Sequence, residues 1–180
     1  MCSVSNIPER RKTPPLRGSL VKWEYTNTVS KITLSMCLAD AGIVRVTYFP
    51  GAVPEDEPSY AVSPGYSAPG AEIREYDEDG VHVVETSLLR IRIRTEEQKV
   101  DFYDVATDEP LLTDEGGFGR ESKDWTGDAR VWIRKNLQET EHFFGLGDKP
   151  CALNLRGKYF SMWGADHYDF HEESDPLYKS

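Results

Sequence analysis

ITLSMCLADAGIVRVTYF, residues 32–49, decides the fold class of this 180-residue chain. Ile32, Leu34, Met36 and Leu38 recur at every second position, so they would share one face of a pleated strand. Asp40-Ala41-Gly42 then breaks the alternation with turn-forming residues at hairpin spacing, and the β-branched and aromatic run Ile43 to Phe49 follows it. Ile32 to Phe49 therefore reads as a β-hairpin.

The same period of two recurs on the C-terminal side, at Val81 to Thr86, Leu88 to Thr95, Lys99 to Tyr103, Arg130 to Leu137 and Glu141 to Phe144. Within the second of these, Leu89, Ile91 and Ile93 point one way while Arg90, Arg92 and Arg94 point the other. No window carries a sustained helical stripe with an N-cap and a glycine stop, and no repeat recurs at a fixed period. Between Pro50 and Glu72 sit five prolines and three glycines, with Glu55, Asp56 and Glu57 in a row, which prevents regular pairing and implies a long exposed loop. It is a loop and not a domain boundary, because neither side alone has enough strands to close a core. Many short strands with alternating faces imply an all-β chain of two packed antiparallel sheets, a β-sandwich, followed by an irregular C-terminal segment.

A chain of this length buries roughly 70% of the surface its unfolded form exposes, enough for one core. Residues 1–18, which include Arg10, Arg11, Lys12 and Arg17, are expected to form a basic, flexible tail, and residues 19–180 the domain. With 31 acidic against 21 basic residues the net charge is -10, which repels phosphate backbones and anionic lipid headgroups. Nucleic acid and membrane are therefore not expected partners. Cys2, Cys37 and Cys151 are odd in number, far apart and without a CxxC pair, so reduced thiols are expected. No apolar run is long enough for a signal h-region or for the roughly 20 residues of a membrane span, which favours a cytoplasmic protein.

Candidate chemistry crowds into Phe143–Ser180, where FFGLGDKP, LNLRG, MWGAD and DPLYKS lie close together. Gly145-Leu146-Gly147 invites a phosphate-loop reading, but the third glycine would fall at Pro150 and no helix follows; a tight turn is the simpler reading. His167 and His171 are four apart among acids, yet an HExxH pattern would need histidine where Asp175 stands, so neither a metal nor a cofactor is expected. A glycosidase needs two carboxylates about 5 to 10 Å apart, and Asp148, Asp166, Asp169, Glu172, Glu173 and Asp175 offer many, with no spacing that singles out one pair. Ser161, His167 and Asp169 can be drawn as a triad, but no GxSxG elbow supports them. Trp163 beside Asp166 is sharper: an aromatic face for the apolar side of a sugar ring and a carboxylate to accept hydroxyl hydrogen bonds. The same two residues also suit a loop anchor and a turn-forming aspartate.

In order and spacing, FFGLGDKP (143–150), LNLRG (153–157), MWGAD (162–166) and DPLYKS (175–180) resemble the end of the N-terminal domain of glycoside hydrolase family 31, the α-glucosidase and α-xylosidase family. Leu88 to Asp104 with Leu111 and Leu112 also looks like that family's galactose-mutarotase-like β-sandwich. The resemblance implies a retaining, exo-acting α-glycosidase, most simply an α-glucosidase, that hydrolyses terminal non-reducing α-linked sugars. Both catalytic carboxylates would lie in a (β/α)8 barrel that begins after DPLYKS. The chain is thus expected to hold no catalytic residue and to be inactive alone. Its partners would be a carbohydrate substrate and the catalytic barrel of the same polypeptide.

Asp166 matches the aspartate of the family's W-N-x-D motif, on a loop that helps hold the non-reducing sugar, and Trp163 matches the motif's aromatic; both are the expected substrate-binding residues. The sequence departs from the motif at Gly164, where the family commonly carries Asn. Gly145, Gly147, Asn154 and Arg156 match framework positions that shape the loop. The alternative is a stand-alone, non-catalytic carbohydrate-binding or interaction module.

Overall fold

The structure is a computed structural model that describes residues 9–13, 21–51, 53, 72–121, 130–146 and 151–160. Among these there are eleven strands and no helix. Strands β1 (Glu9–Thr13), β2 (Val21–Thr26), β3 (Ile32–Asp40) and β4 (Ile43–Pro50) form one antiparallel sheet in chain order. Strands β5 (Arg74–Glu78), β6 (Val81–Glu85), β7 (Leu89–Arg94), β8 (Lys99–Asp104) and β9 (Pro110–Leu112) form a second. Strands β10 (Asp114–Glu121) and β11 (Arg130–Lys135) pair as a separate two-stranded ribbon.

Period-two alternation decides which side chains meet. Trp23 and Tyr25 of β2 stand opposite Met36 and Leu34 of β3. With Leu38 they join Val84, Ile91, Ile93 and Val100 of the second sheet in one buried cluster. Two sheets sharing one apolar interior make the expected all-β sandwich. Polar bonds fix how the sheets meet at both ends. At one end the turn after β7 is tied to the first sheet: Gln98 Nε2 donates to Ile32 O (2.9 Å), Tyr48 Oη to Gln98 O (3.1 Å) and Asn27 Nδ2 to Glu96 O (2.9 Å). At the other, Thr86 Oγ1 donates to Ala41 O (2.6 Å) and gathers the amides of Leu88 and Leu89.

The ribbon is attached through a buried carboxylate. Asp114 Oδ2 accepts the Val100 amide (2.8 Å), its own amide donates to Asp101 Oδ1 (2.8 Å), and Lys135 of β11 pairs with its other oxygen. Arg94 in turn holds Asp101 at 2.6 Å. Gly117 then passes so close to Glu97 and Gln98 that a Cβ would lie 2.9 Å from both carbonyl oxygens. With φ at +62°, only glycine fits there without strain, and a bulge marks the place. Phe118 stacks on Tyr48 at 4.7 Å.

The hairpin read at 32–49 is present as β3 and β4, with Asp40 Oδ1 accepting the Ala41 amide in its turn. The strands read at 81–86, 88–95, 99–103 and 130–137 are β6, β7, β8 and β11. Glu141 to Phe144 is not a strand: Phe143 spends its amide on the Asn154 side chain and its carbonyl on the Leu155 amide, which leaves no ladder to extend. Nor is the expected tail free of structure, since Glu9–Thr13 pairs with residues 22–26 of β2 as β1. Its charges concealed the pattern: Arg10 and Lys12 are held by Asp77 and Glu75 of β5. Of the proline- and glycine-rich loop, 52 and 54–71 lie outside the described residues.

Candidate functional site

Chain contacts divide at Asn136 and Leu137 into two compact units, and every candidate functional residue belongs to the second. Its described part consists of residues 137–146 and 151–160, two irregular segments joined by side chains that satisfy backbone groups. Asn154 is the hub. Its Oδ1 accepts the amides of Phe143 (3.2 Å) and Arg156 (3.1 Å), and its Nδ2 donates to His142 Nδ1 (2.8 Å). That last bond requires an unprotonated Nδ1 on His142.

Arg156 supplies the second clamp. Its Nη1 donates to the carbonyls of Gln138 (2.7 Å) and Glu141 (2.6 Å), while Leu155 N donates to Phe143 O at 2.7 Å. Glu141 closes the smaller loop by accepting the Gln138 amide on Oε2 (2.9 Å). Gly145 (φ 96°) and Leu146 (φ 61°) both take the left-handed region, and the chain bends at Leu146; Gly147, the rest of the expected tight turn, lies outside the described residues.

Leu155 is buried, whereas Phe143, Phe144, Leu146, Leu153 and Tyr159 are exposed, Tyr159 at 90%. These exposed rings and aliphatic side chains are carried on a scaffold whose backbone is held by polar groups. Such rings can cover the apolar face of a sugar or pack against protein. Among the described residues of this unit the acids are Glu139 and Glu141, and Glu141 is occupied with the Gln138 amide. No pair suited to glycoside hydrolysis is assembled from them.

Asn154 and Arg156 are thus brought together on one backbone segment, with Gly145 at the adjoining turn. Asp166, Trp163 and Gly147 lie outside the described residues, as do Asp148, Asp169, Glu172, Glu173, Asp175, Ser161, His167 and His171. Sequence reasoning missed Gln138, Glu141 and His142. Two of these contribute backbone carbonyls, which leave no mark in a sequence; His142, next to the Phe143-Phe144 pair, was the one legible signal. Among the described residues, no helix is long and apolar enough to cross a membrane, and Cys37 and Cys151 are free thiols.

Residues 33–180 match the family described as the glycosyl hydrolase 31 N-terminal galactose mutarotase-like domain. A stretch of 63 residues is 38% identical to Alpha-glucosidase 2 of Bacillus thermoamyloliquefaciens, covering 34% of this chain and 8% of that protein. The fold is shared with a GH31 dextranase of Flavobacterium johnsoniae, solved in complex with isomaltotriose and, separately, with glucose: the TM-score is 0.70 at 21% identity, over 96% of this chain and 20% of the dextranase chain. The chain thus spans a small fraction of the length of the relatives it matches.

Proposed function

Because the chain belongs to the glycosyl hydrolase 31 N-terminal galactose mutarotase-like family, we propose that it is the accessory β-sandwich of a retaining, exo-acting α-glycosidase of α-glucosidase type. Its role is to supply a substrate-binding loop and a packing surface to a catalytic barrel of the same polypeptide. The observation that carries this reading is the match over residues 33–180, which includes the whole motif-bearing segment and not the generic strands alone. The likeness to Alpha-glucosidase 2 supports the choice of an α-glucoside as substrate.

On this reading two carboxylates outside the 180 residues perform the displacement and the proton transfer. Asp166 accepts hydroxyl hydrogen bonds from the terminal sugar, and Trp163 anchors the loop beside it. Asn154 and Arg156 act one step away: by fixing residues 138–143 against 154–156 they set the frame from which the loop departs. No cofactor enters the reaction, and the free thiols of Cys37 and Cys151 suit a cytoplasmic setting.

Assays of the 180-residue chain and of a longer polypeptide carrying the barrel, on aryl α-glucosides and maltose, test the proposal. Turnover is expected only from the longer form, and Asp166→Ala should reduce its kcat/KM by about 10- to 100-fold, the loss of about one charge-assisted hydrogen bond. Hydrolysis by the 180 residues alone would refute it. Submillimolar binding of glucose, maltose or xylose to the isolated chain in calorimetry, abolished by Asp166→Ala, would instead favour the stand-alone carbohydrate-binding module.

A further inference from the structure

One long edge of the sandwich is closed by charged groups. There β1 of the first sheet faces β5 and β6 of the second. Arg10 Nη1 lies 3.1 Å from Asp77 Oδ1 and 2.6 Å from His82 Nδ1, while Lys12 pairs with Glu75 and lies 5.6 Å from the Trp23 ring centroid. Glu75 also accepts Trp23 Nε1–H at 3.1 Å. His82 is only 4% exposed, and its Nε2 lies 3.8 Å from Glu75 Oε2. We propose that β1 is a proton-released latch: it is docked while His82 is neutral and is let go when His82 takes up a proton.

The chemistry of the contact sets the direction. Guanidinium can only donate, so the short Arg10 bond requires a lone pair on His82 Nδ1. A protonated imidazole carries N–H on both nitrogens and would bring two cations to 2.6 Å. The same proton makes His82 a better partner for the carboxylates already beside it, Asp77 Oδ1 at 3.1 Å from Nδ1 and Glu75 at Nε2. Those carboxylates are the ones that hold Arg10 and Lys12. Protonated His82 therefore repels one cation of β1 and competes with both for their anions. The ring is buried, with the Tyr25 ring of β2 against it at a centroid distance of 5.8 Å.

The groups facing His82 from each neighbouring element are Arg10 on β1, Tyr25 on β2, and Glu75 and Asp77 on β5, with Lys12 of β1 and Trp23 of β2 reaching it through Glu75; the residue paired with it on β7 is Ile93. Burial, and then Arg10, hold the imidazole pKa below its ordinary value, although Asp77 and Glu75 pull the other way. For a base depressed in the closed state, docking is at full strength above the ordinary imidazole value of about 6.5 and is lost as pH falls through the closed-state value. Burial pushes the Glu75 carboxyl up, but the bonds from Lys12 and Trp23 outweigh it and leave it below the ordinary glutamate value. Its contribution is lost only at lower pH, so the interval from pH 7.5 to 5.5 isolates His82.

Amide hydrogen exchange on the full 180-residue chain, corrected for the intrinsic effect of pH on exchange, tests the latch. Protection of Glu9–Thr13 is expected to fall several-fold, with a single-proton ceiling of about tenfold, between pH 7.5 and 5.5 while that of Leu89–Arg94 holds, with the same midpoint as the His82 ring titration followed by NMR. His82→Gln should leave β1 protection flat across the interval, and Arg10→Gln should leave β1 weakly protected at both ends. Constant β1 protection in the unmodified chain, an unchanged pH response in His82→Gln, or full β1 protection in Arg10→Gln overturns the proposal. Should His82→Gln fail to fold, the two midpoints decide: agreement within half a pH unit supports the latch and a larger gap refutes it.

Discussion

In the sandwich, nine buried side chains of two sheets meet one another, and polar bonds only fix how the sheets are placed. From Leu137 to Phe160 the construction is reversed: Leu155 is the one buried apolar side chain among the described residues, and Asn154 and Arg156 hold the backbone by its own donors and acceptors. An apolar interior is non-directional and accepts any sequence that keeps the alternation. A clamp of aimed hydrogen bonds accepts one residue at one place. The first is a way to make a platform. The second is a way to hold an irregular backbone in one shape while leaving Phe144, Leu153 and Tyr159 free to meet something else.

The largest effect should come from breaking the apolar interior. Trp23 is fully buried, faces Met36 across the sheet and donates to Glu75. Trp23→Ala removes the largest buried side chain of the core and one partner of the half-buried Glu75 carboxylate, and should cost about 3 to 5 kcal/mol in denaturant unfolding. A loss below about 1 kcal/mol would mean that the two sheets do not depend on this interior.

Alkaline unfolding probes the same interior through its phenols. Burial, the dominant cause in both, raises the pKa of Tyr25 and of Tyr48 above the ordinary phenol value of 10.0. An acid whose folded pKa is raised keeps its proton in the native state and loses it on unfolding, so its contribution is whole below pH 10 and declines above it. Each such group should take away up to about 1.4 kcal/mol per pH unit above pH 10. Absorbance at 295 nm should show these two of the nine tyrosines ionising only together with unfolding, and Tyr48→Phe should lower the slope by the share of one group. Smooth titration of all the tyrosines in folded protein would contradict the packing.

The difference in construction also explains what a reader of the sequence could see. Ile32 to Phe49 and Leu89 to Arg94 were legible because apolar side chains recur at every second residue; in Leu89–Arg94 burial alternates with them, whereas β3 is buried on both faces from Ile32 to Met36 and keeps the period only in residue type. Val21–Thr26 carried the same signal in Val21, Trp23 and Tyr25, but over too few residues to stand out. β1 and β5 were illegible because their inward positions are charged, Arg10 and Lys12 against Glu75 and Asp77, and their meaning resides in pairs 63 and 67 residues apart. β10 was hidden by its glycines, of which Gly117 is demanded by carbonyls of another turn and Gly119 by the Trp132 indole. Asn154 and Arg156 were noticed only through the resemblance of their motif, since a side chain that serves distant carbonyls follows no period.

The smallest effect on overall stability, and the most discriminating, is expected at Arg156. Arg156→Ala removes two charge-assisted hydrogen bonds to Gln138 O and Glu141 O, a local loss of about 1.5 to 3 kcal/mol per bond at most and less where water replaces the donor. If chain contacts divide at Asn136 energetically as they do geometrically, the main unfolding transition should move by less than about 0.5 kcal/mol. Hydrogen exchange of Leu155, whose amide bonds Phe143 O, should meanwhile accelerate at least tenfold. Both bonds leave the one nitrogen Nη1, so Arg156→Lys keeps the charge and enough N–H donors but has a shorter reach, and it should recover only part of that protection. A cooperative loss of the whole sandwich in Arg156→Ala would instead make the clamp part of the core, and the contrast between an apolar platform and a hydrogen-bonded frame would fail at its clearest residue.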